Sequence, residues 1–215
     1  QIKAKNDFGT TTGPCWSFTT EITPPKPADY SPISIEGAVV TAVFGDYFYI
    51  ESTKRDFGIK VYQPSHGLSR DTVVNIGGYM MTDGNDERYI NCQDKQTDGS
   101  SVIKPIGLNN KTLGGGDWQY DPAINAGQRG ITDAAGLNNI GLLVKIWGKF
   151  KYVDSRTFII DDGSGTPVKC IVPDGVTLNT NWKFANVTGV SSCEKIGEEI
   201  HRVLLVRTQS DINGQ

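Results

Sequence analysis

The sequence predicts an all-β protein, and three observations support this class. Apolar residues alternate with polar ones or cluster in short runs rich in Val, Ile, Tyr and Phe, which is typical of half-buried and buried strands. Helical periodicity is almost absent, and Gly, Asp, Asn and Pro separate the runs. The same order of strand-like segments also occurs twice along the chain, which indicates an internal repeat.

Composition limits the classes of function. The 215 residues include 21 Lys and Arg against 24 Asp and Glu, and this net charge of −3 argues against a duplex nucleic-acid partner. A hydrophobic content of 37% is enough for a packed core. No apolar run approaches the roughly 20 residues of a membrane helix, so we expect no membrane span. Because residue 1 is glutamine, we expect a processed or trimmed start.

Each repeat copy contains strand-like segments in one order. The first copy comprises residues 37–43, 46–51, 57–62, 72–80 and 88–91, and the second comprises 141–148, 157–162, 167–172, 181–189 and 202–207. Within each predicted hairpin the apolar residues share one parity, which predicts one buried and one wet face. The predicted inward residues are Phe48, Ile50, Ile59 and Val61 in the first copy and Phe158, Ile160, Val168 and Cys170 in the second.

This order of strands, with a hairpin that ends in an acidic turn, resembles the OB-fold. The match is to the tandem form in large bacterial secreted and surface proteins, where a segment like residues 158–170 recurs. The resemblance implies two five-stranded barrels, at residues 34–92 and 136–208, with a tail at 209–215. It also implies an extracellular or cell-surface location. Closing a sheet into a barrel would remove its exposed edges.

The first twenty residues resemble the last hairpin of a fibronectin type III domain. Such a short hairpin is marginal in water because it cannot bury its own apolar face. We therefore expect Phe8, Cys15, Trp16 and Phe18 to contact the missing part of such a domain, the adjoining barrel or another subunit. Residues 21–33 read as a stiff proline-rich linker.

A long connector, residues 93–135, separates the two predicted barrels. It contains the Gly114 triplet, and the sequence Gly-Leu-Asn-Asn occurs at 107–110 and again at 136–139. A structureless segment of this length is unusual in a compact domain, so we expect it to be ordered and packed against a barrel. Because no helix is predicted after the glycine triplet, it indicates a turn more than an anion cradle.

The outward face of the first predicted hairpin is a candidate ligand site. It carries Tyr47, Tyr49, Lys60 and Tyr62, whereas the matching positions of the second copy are Thr157, Ile159, Lys169 and Ile171. OB barrels bind oligonucleotides or sugars across this face, and tyrosines flanked by lysine would stack on such ligands. Alternatively, the tyrosines are ordinary residues of half-exposed strands, or they pack against the connector or a neighbour.

The sequence offers no catalytic site. His66 and His201 lack triad partners, and the usual nucleophile, zinc-protease and phosphate-loop motifs are absent from the sequence. Carboxylates cluster in residues 82–87 and 161–162, where turn chemistry is the favoured interpretation and structural calcium the alternative. We therefore predict no enzyme activity, no resident metal and no cofactor.

Four cysteines fit two disulfides and favour a secreted protein. Cys170, on the third strand of the second barrel, and Cys193, in a loop after its fourth strand, are a possible pair. Cys170 is alternatively a small core residue. Cys15 and Cys92 then remain for a second bridge or an intersubunit bond.

These features together predict a non-enzymatic extracellular structural protein that assembles through its N-terminal β-segment. Its partners would be copies of itself or neighbouring domains of the same polypeptide, and an unclosed head-to-tail contact would give filaments. The alternative is a ligand-binding accessory module of a larger secreted protein, with a polysaccharide or single-stranded nucleic acid as its ligand.

Overall fold

The structure is a computed structural model that describes residues 27–134 and 136–215, together with the backbone of residues 3–6 and 9–12. These residues form strands joined by turns and two single-turn 3-10 helices, so the all-β prediction is confirmed. Two of the strands, β1 (Lys3–Asn6) and β2 (Gly9–Thr12), pair as an antiparallel hairpin. The predicted assembly residues Phe8, Cys15, Trp16 and Phe18 lie outside the described residues.

A closed barrel forms the first large unit. Its strands pair in the order β3-β4-β5-β7-β6, and all pairs are antiparallel except β5 with β7. The strands are β3 (Pro32–Phe44), β4 (Tyr47–Glu51), β5 (Gly58–Tyr62), β6 (Thr72–Thr82) and β7 (Arg88–Ser100). Phe48, Ile50 and Val61 are buried in its core and Ile59 packs against it, so the predicted parity of this hairpin is correct.

The second sheet repeats these pairings. β11 pairs with β12, β12 with β13, β13 in parallel with β15, β15 with β14, and β14 again with β11, which closes the ring. The strands are β11 (Leu143–Asp154), β12 (Thr157–Asp161), β13 (Val168–Ile171), β14 (Phe184–Ile196) and β15 (Glu199–Val206). Phe158, Ile160, Val168 and Cys170 are buried in its core, as their parity predicted.

The connector is ordered in the described residues. It contains β8 (Ile106–Gly107), a 3-10 turn at Asn110–Thr112, β9 (Trp118–Asp121) and β10 (Ala126–Gln128). β8 pairs in parallel with β11, and β9 pairs with β10. The expectation of an ordered segment that packs against a barrel is therefore correct for the described part.

Two strand boundaries differ from the sequence expectation. β7 continues to Ser100, beyond residue 92, because backbone pairing with β6 persists through polar, mostly exposed residues that lack an apolar signal. Residues 209–215 are not a loose tail, since β16 (Ile212–Gly214) pairs with β14 and Ile212 joins the core of the second sheet.

Candidate functional site at the junction of the two barrels

Tyr49 does not lie on an open ligand surface. It points away from the interior of the first barrel, as parity predicted, but its side chain is fully buried. It packs with Ala42 and with Val190 of β14, and Leu205 of β15 lies against the same cluster. The predicted tyrosine platform is therefore wrong as an accessible site, because the second barrel covers its centre.

The other predicted platform residues lie at the margin of this contact. Tyr47 is half-buried and stacks on Phe44, whereas Tyr62 is 42% exposed. Lys60 Nζ forms an ion pair with Asp83 Oδ2 at 2.9 Å and lies 4.8 Å from the centre of the Tyr47 ring. Burial lowers the pKa of Lys60, but the carboxylates of Glu87 and Asp83 outweigh it and leave the pKa raised.

Glu87 connects the two barrels through a buried carboxyl group. Its Oε1 accepts the Tyr49 hydroxyl at 2.7 Å, and its Oε2 accepts the hydroxyl of Ser192, on β14, at 2.8 Å. Burial raises the pKa of Glu87 to about 7. Burial, reinforced by the charge of Glu87, also raises the pKa of Tyr49 well above its usual value.

Glu51 forms a second buried connection. Its Oε2 accepts the backbone N–H of Leu143, the first residue of β11, at 2.8 Å. Burial raises the pKa of Glu51 to about 7, since the hydrogen bond from Leu143 and the charge of Arg55 offset the loss of solvation only in part. Within the described residues, Oε1 of the same carboxyl has no hydrogen-bond partner.

The two backbones come into direct contact at a pair of glycines. A Cβ on Gly58, which begins β5, would lie 2.3 Å from the carbonyl carbon and oxygen of Gly141. A Cβ on Gly141 would lie 2.3 Å from the carbonyl oxygen of Gly58, and Gly141 has a φ of +91°. Both positions therefore require glycine for the barrels to approach this closely.

The Asn139 amide positions the connector at this junction. Its Oδ1 accepts the backbone N–H of Gly114 and the hydroxyl of Ser191, and its Nδ2 donates to the carbonyls of Thr112 and Leu137. This amide thus joins residues 112–114, in the middle of the connector, to Ser191 of β14. The asparagine of the second Gly-Leu-Asn-Asn segment therefore has a structural role through its side-chain hydrogen bonds.

A pocket lies beside the junction, between the first barrel and the connector. It encloses about 740 Å³ of empty space, including the part open to solvent. Arg88 lines it together with apolar residues and with polar ones that include Lys60 and Glu87. The Arg88 Nη1 binds Asp29 Oδ1 at 2.6 Å. Arg88 Nη2 donates to the Pro27 carbonyl, whereas Nε has no partner among the described residues. The apolar lining residues include Ile33, Ile35, Phe57, Met80, Trp118, Ile140 and Leu142.

The acidic loops are engaged in turn and ion-pair contacts. Asp83 Oδ1 accepts the backbone N–H groups of Asn85 and Glu87, and Asp86 pairs with Arg129 and Lys195. In the other loop, residues 161–162 accept backbone N–H groups from the turn and from residue 110. Within the described part of the chain, no group of three or more His, Cys, Asp or Glu side chains is arranged to hold a metal ion.

The histidines occupy different environments. His66 is buried, its Nε2 lies 3.2 Å from the Phe44 carbonyl, and its Nδ1 accepts the Leu68 N–H. This pattern defines the Nε2–H tautomer of a structural histidine. His201 is exposed, and its Nε2 lies 3.4 Å from Glu199 Oε2.

Cys170 and Cys193 are free thiols, so the predicted bond between them is not formed. Cys170 lies in the core of the second barrel, as the alternative interpretation held. Cys193 belongs to β14 rather than a loop, and it packs with Ile131, Ile140 and Ile200. Burial raises the pKa of both thiols strongly. Cys92 is also a free, buried thiol.

Sequence reasoning missed Glu51 and Glu87 as structural residues. Glu51 shares the outward parity of Tyr47 and Tyr49, which would have placed it beside any partner of that face. Glu87 was visible only as one of several carboxylates in an acidic turn. The burial of these side chains does not follow from local pattern. Glu87 contacts Ser192, which is 105 positions away in the chain, and Glu51 contacts Leu143, which is 92 positions away.

Comparisons with protein-family models, with curated proteins and with solved structures found no match to this chain. Among the described residues, no helix has the length and apolar character needed to cross a membrane.

Proposed function

We propose that this chain is a non-enzymatic extracellular structural protein whose two OB-like barrels form one rigid module. The order of strand pairings, in which the third strand joins the fifth in parallel, occurs in both sheets and supports the resemblance to tandem OB modules. The β1–β2 hairpin is compatible with the fibronectin-like N-terminal segment. In this proposal that segment couples one module to the next.

The observation that carries the proposal is the use of the Tyr49 face. In a ligand-binding OB barrel this face is open, whereas here Tyr49 and Glu87 are buried against Ser192 of the second barrel. Buried hydrogen-bonded groups of this kind fix one relative orientation, since any other would leave them unpaired. Because the Tyr49 face holds the two barrels together, it supports a mechanical role for the protein.

Negative-stain electron microscopy of the full chain tests the coupling. We expect chains or filaments that are lost when residues 1–20 are deleted. A variant that carries Phe8→Ala, Trp16→Ala and Phe18→Ala should lose them too, with an unchanged circular dichroism spectrum. Dispersed particles from the unaltered chain, or filaments that survive the deletion, would reject coupling through this segment.

A second candidate function is that of a ligand-binding accessory module of a larger secreted protein. The first barrel's tyrosines do not favour it, because the central one is buried. The observation that favours it is an exposed aromatic pair on the second barrel, formed by Trp147 and Phe184.

A further inference from the structure

The outer face of β11 and β14 carries aromatic, basic and polar side chains side by side. Along β11, Lys145, Trp147 and Lys149 are exposed, whereas Ile146 between them is buried in the core. β14 lies beside them in antiparallel register, with Thr188 opposite Lys145, Asn186 opposite Trp147 and Phe184 opposite Lys149. These side chains therefore share one surface, which we call the β11–β14 face.

Two aromatic rings form the centre of this face. Trp147 is 50% exposed and Phe184 is 36% exposed, and their rings are stacked with centroids 5.6 Å apart and an interplanar angle of 6°. Both rings are large and apolar, yet folding leaves them partly exposed to solvent. Exposed aromatic pairs on a rigid sheet are suited to contact the flat surface of a ring-containing ligand.

Lysines lie on both sides of Trp147 along β11. Lys145, Lys149 and Lys151 alternate along this face and are exposed, and within residues 27–134 and 136–215 none has a carboxylate oxygen within 4 Å. Asp161, on β12, lies opposite Lys149 and is an acidic neighbour of these lysines. With three lysines beside one aspartate, the face is locally positive on a chain whose net charge is −3, which indicates an anionic partner.

Amide and hydroxyl groups complete the surface. Asn186 lies opposite both Trp147 on β11 and Asn213 on β16, and Asn213 is exposed. Thr188 is half-buried on the same strand as Asn186. Amides both donate and accept hydrogen bonds, so they match the hydroxyl groups of a sugar.

We propose that the β11–β14 face binds an anionic polysaccharide that carries carboxylate or sulfate groups. Sugar rings would lie against Trp147 and Phe184, hydroxyl groups would bond Asn186, and acidic groups would pair with Lys145 and Lys149. Binding here does not depend on self-assembly through residues 1–20.

Two other occupants fit this face less well. A symmetric contact with a second copy would place the same lysines against each other, and such repulsion opposes association. Single-stranded DNA has no free hydroxyl groups along its backbone to match Asn186 and Thr188, whereas an acidic polysaccharide carries hydroxyl groups on its rings.

Affinity electrophoresis of the full chain tests the proposal. The probes are polygalacturonate for carboxylates, dextran sulfate for sulfates, neutral dextran and oligothymidylate. We expect at least one of the two acidic polysaccharides to retard the protein, and salt should weaken the retardation. No retardation by either acidic probe at low salt, or tighter binding of oligothymidylate, would overturn the proposal.

Matched variants locate the site. Trp147→Ala with Phe184→Ala, and separately Lys145→Gln with Lys149→Gln, should each weaken binding at least tenfold. The aromatic control is Tyr79→Ala, since Tyr79 is 46% exposed on the first barrel, and the charge control is Lys104→Gln with Lys111→Gln. All variants remain at exposed positions, and thermal unfolding verifies that they fold. Equal losses in test and control variants would place binding elsewhere and overturn the assignment.

The filament experiment and the binding experiment fail separately. A dispersed protein that still binds an acidic polysaccharide would reject self-assembly and retain the β11–β14 site. Filaments without such binding would retain self-assembly and reject the β11–β14 site.

Discussion

The hydroxyl of Tyr49 donates to Oε1 of Glu87 over 2.7 Å at the contact between two barrels. The other carboxyl oxygen of Glu87 accepts from Ser192, so one buried group is shared by the strands of both units. A buried carboxyl that loses one donor retains its desolvation without the compensating bond. The junction thus depends on each member of this small network.

Tyr49→Phe removes the donor and preserves the ring. We expect it to lower the free energy of unfolding by about 1–3 kcal/mol, because Glu87 Oε1 is left without its hydroxyl partner. Urea unfolding measures the change. Tyr62→Phe, at a ring that is 42% exposed, is the matched control and should change stability little. Equal, small effects of both substitutions would show that the buried bond contributes nothing.

Stability should fall as the pH rises from about 4.5 to about 7. Glu87 has a raised pKa of about 7 in the folded state against 4.5 in the unfolded chain, so the folded state holds the proton more tightly. The contribution of Glu87 to the free energy of unfolding is complete below pH 4.5. As the pH rises through 7 this contribution is lost, which lowers the free energy of unfolding by about 3 kcal/mol. Thermal unfolding across this range measures the decline.

Glu87→Gln should remove part of that pH dependence, because the amide stays neutral. Glu36→Gln, at an exposed glutamate of β3, is the control and should keep the slope of the parent. The pKa of Glu51 is raised as well, so the stability of the Glu87→Gln variant should still decline somewhat as the pH rises. A Glu87→Gln profile parallel to that of the parent would contradict a proton-sensitive junction.

Alanine at either junction glycine should destabilise the protein. Gly58→Ala and Gly141→Ala each place a methyl group within 2.3 Å of the opposite backbone, and we expect losses of about 1–3 kcal/mol or more. Gly45→Ala is the control, since a Cβ there meets nothing within 4 Å. Urea unfolding distinguishes the three variants. Tolerance of alanine at both junction positions would show that the backbones are further apart.

The buried cysteines should stay reduced and react slowly. Burial raises the pKa of Cys170 and Cys193, so little thiolate forms, and neither side chain is accessible. Iodoacetamide labelling followed by mass mapping should leave both unmodified in the native protein and modify both in urea. Recovery of a Cys170–Cys193 disulfide peptide would contradict the separate packing of the two thiols.

The second half of β7 and the strand β16 show where local pattern fails. Residues 95–100 pair with β6 through their backbones although their side chains are polar, so alternation gives no sign of a strand. Residues 209–215 are too short to predict as a strand, and pairing with β14 supplies their order. In contrast, the repeated order of strands and the inward residues Phe48 and Phe158 follow from parity alone.

The sequence by itself determined the all-β class, the twofold order of strands and the inward face of each hairpin. These features are local, because alternation and turn residues act over a few neighbouring positions. Only the tertiary structure decided that Tyr49 is buried, that Glu87 is shared between barrels and that Cys170 and Cys193 stay apart. Each of these depends on which outer faces meet, and the side chains that decide it lie far apart in the chain.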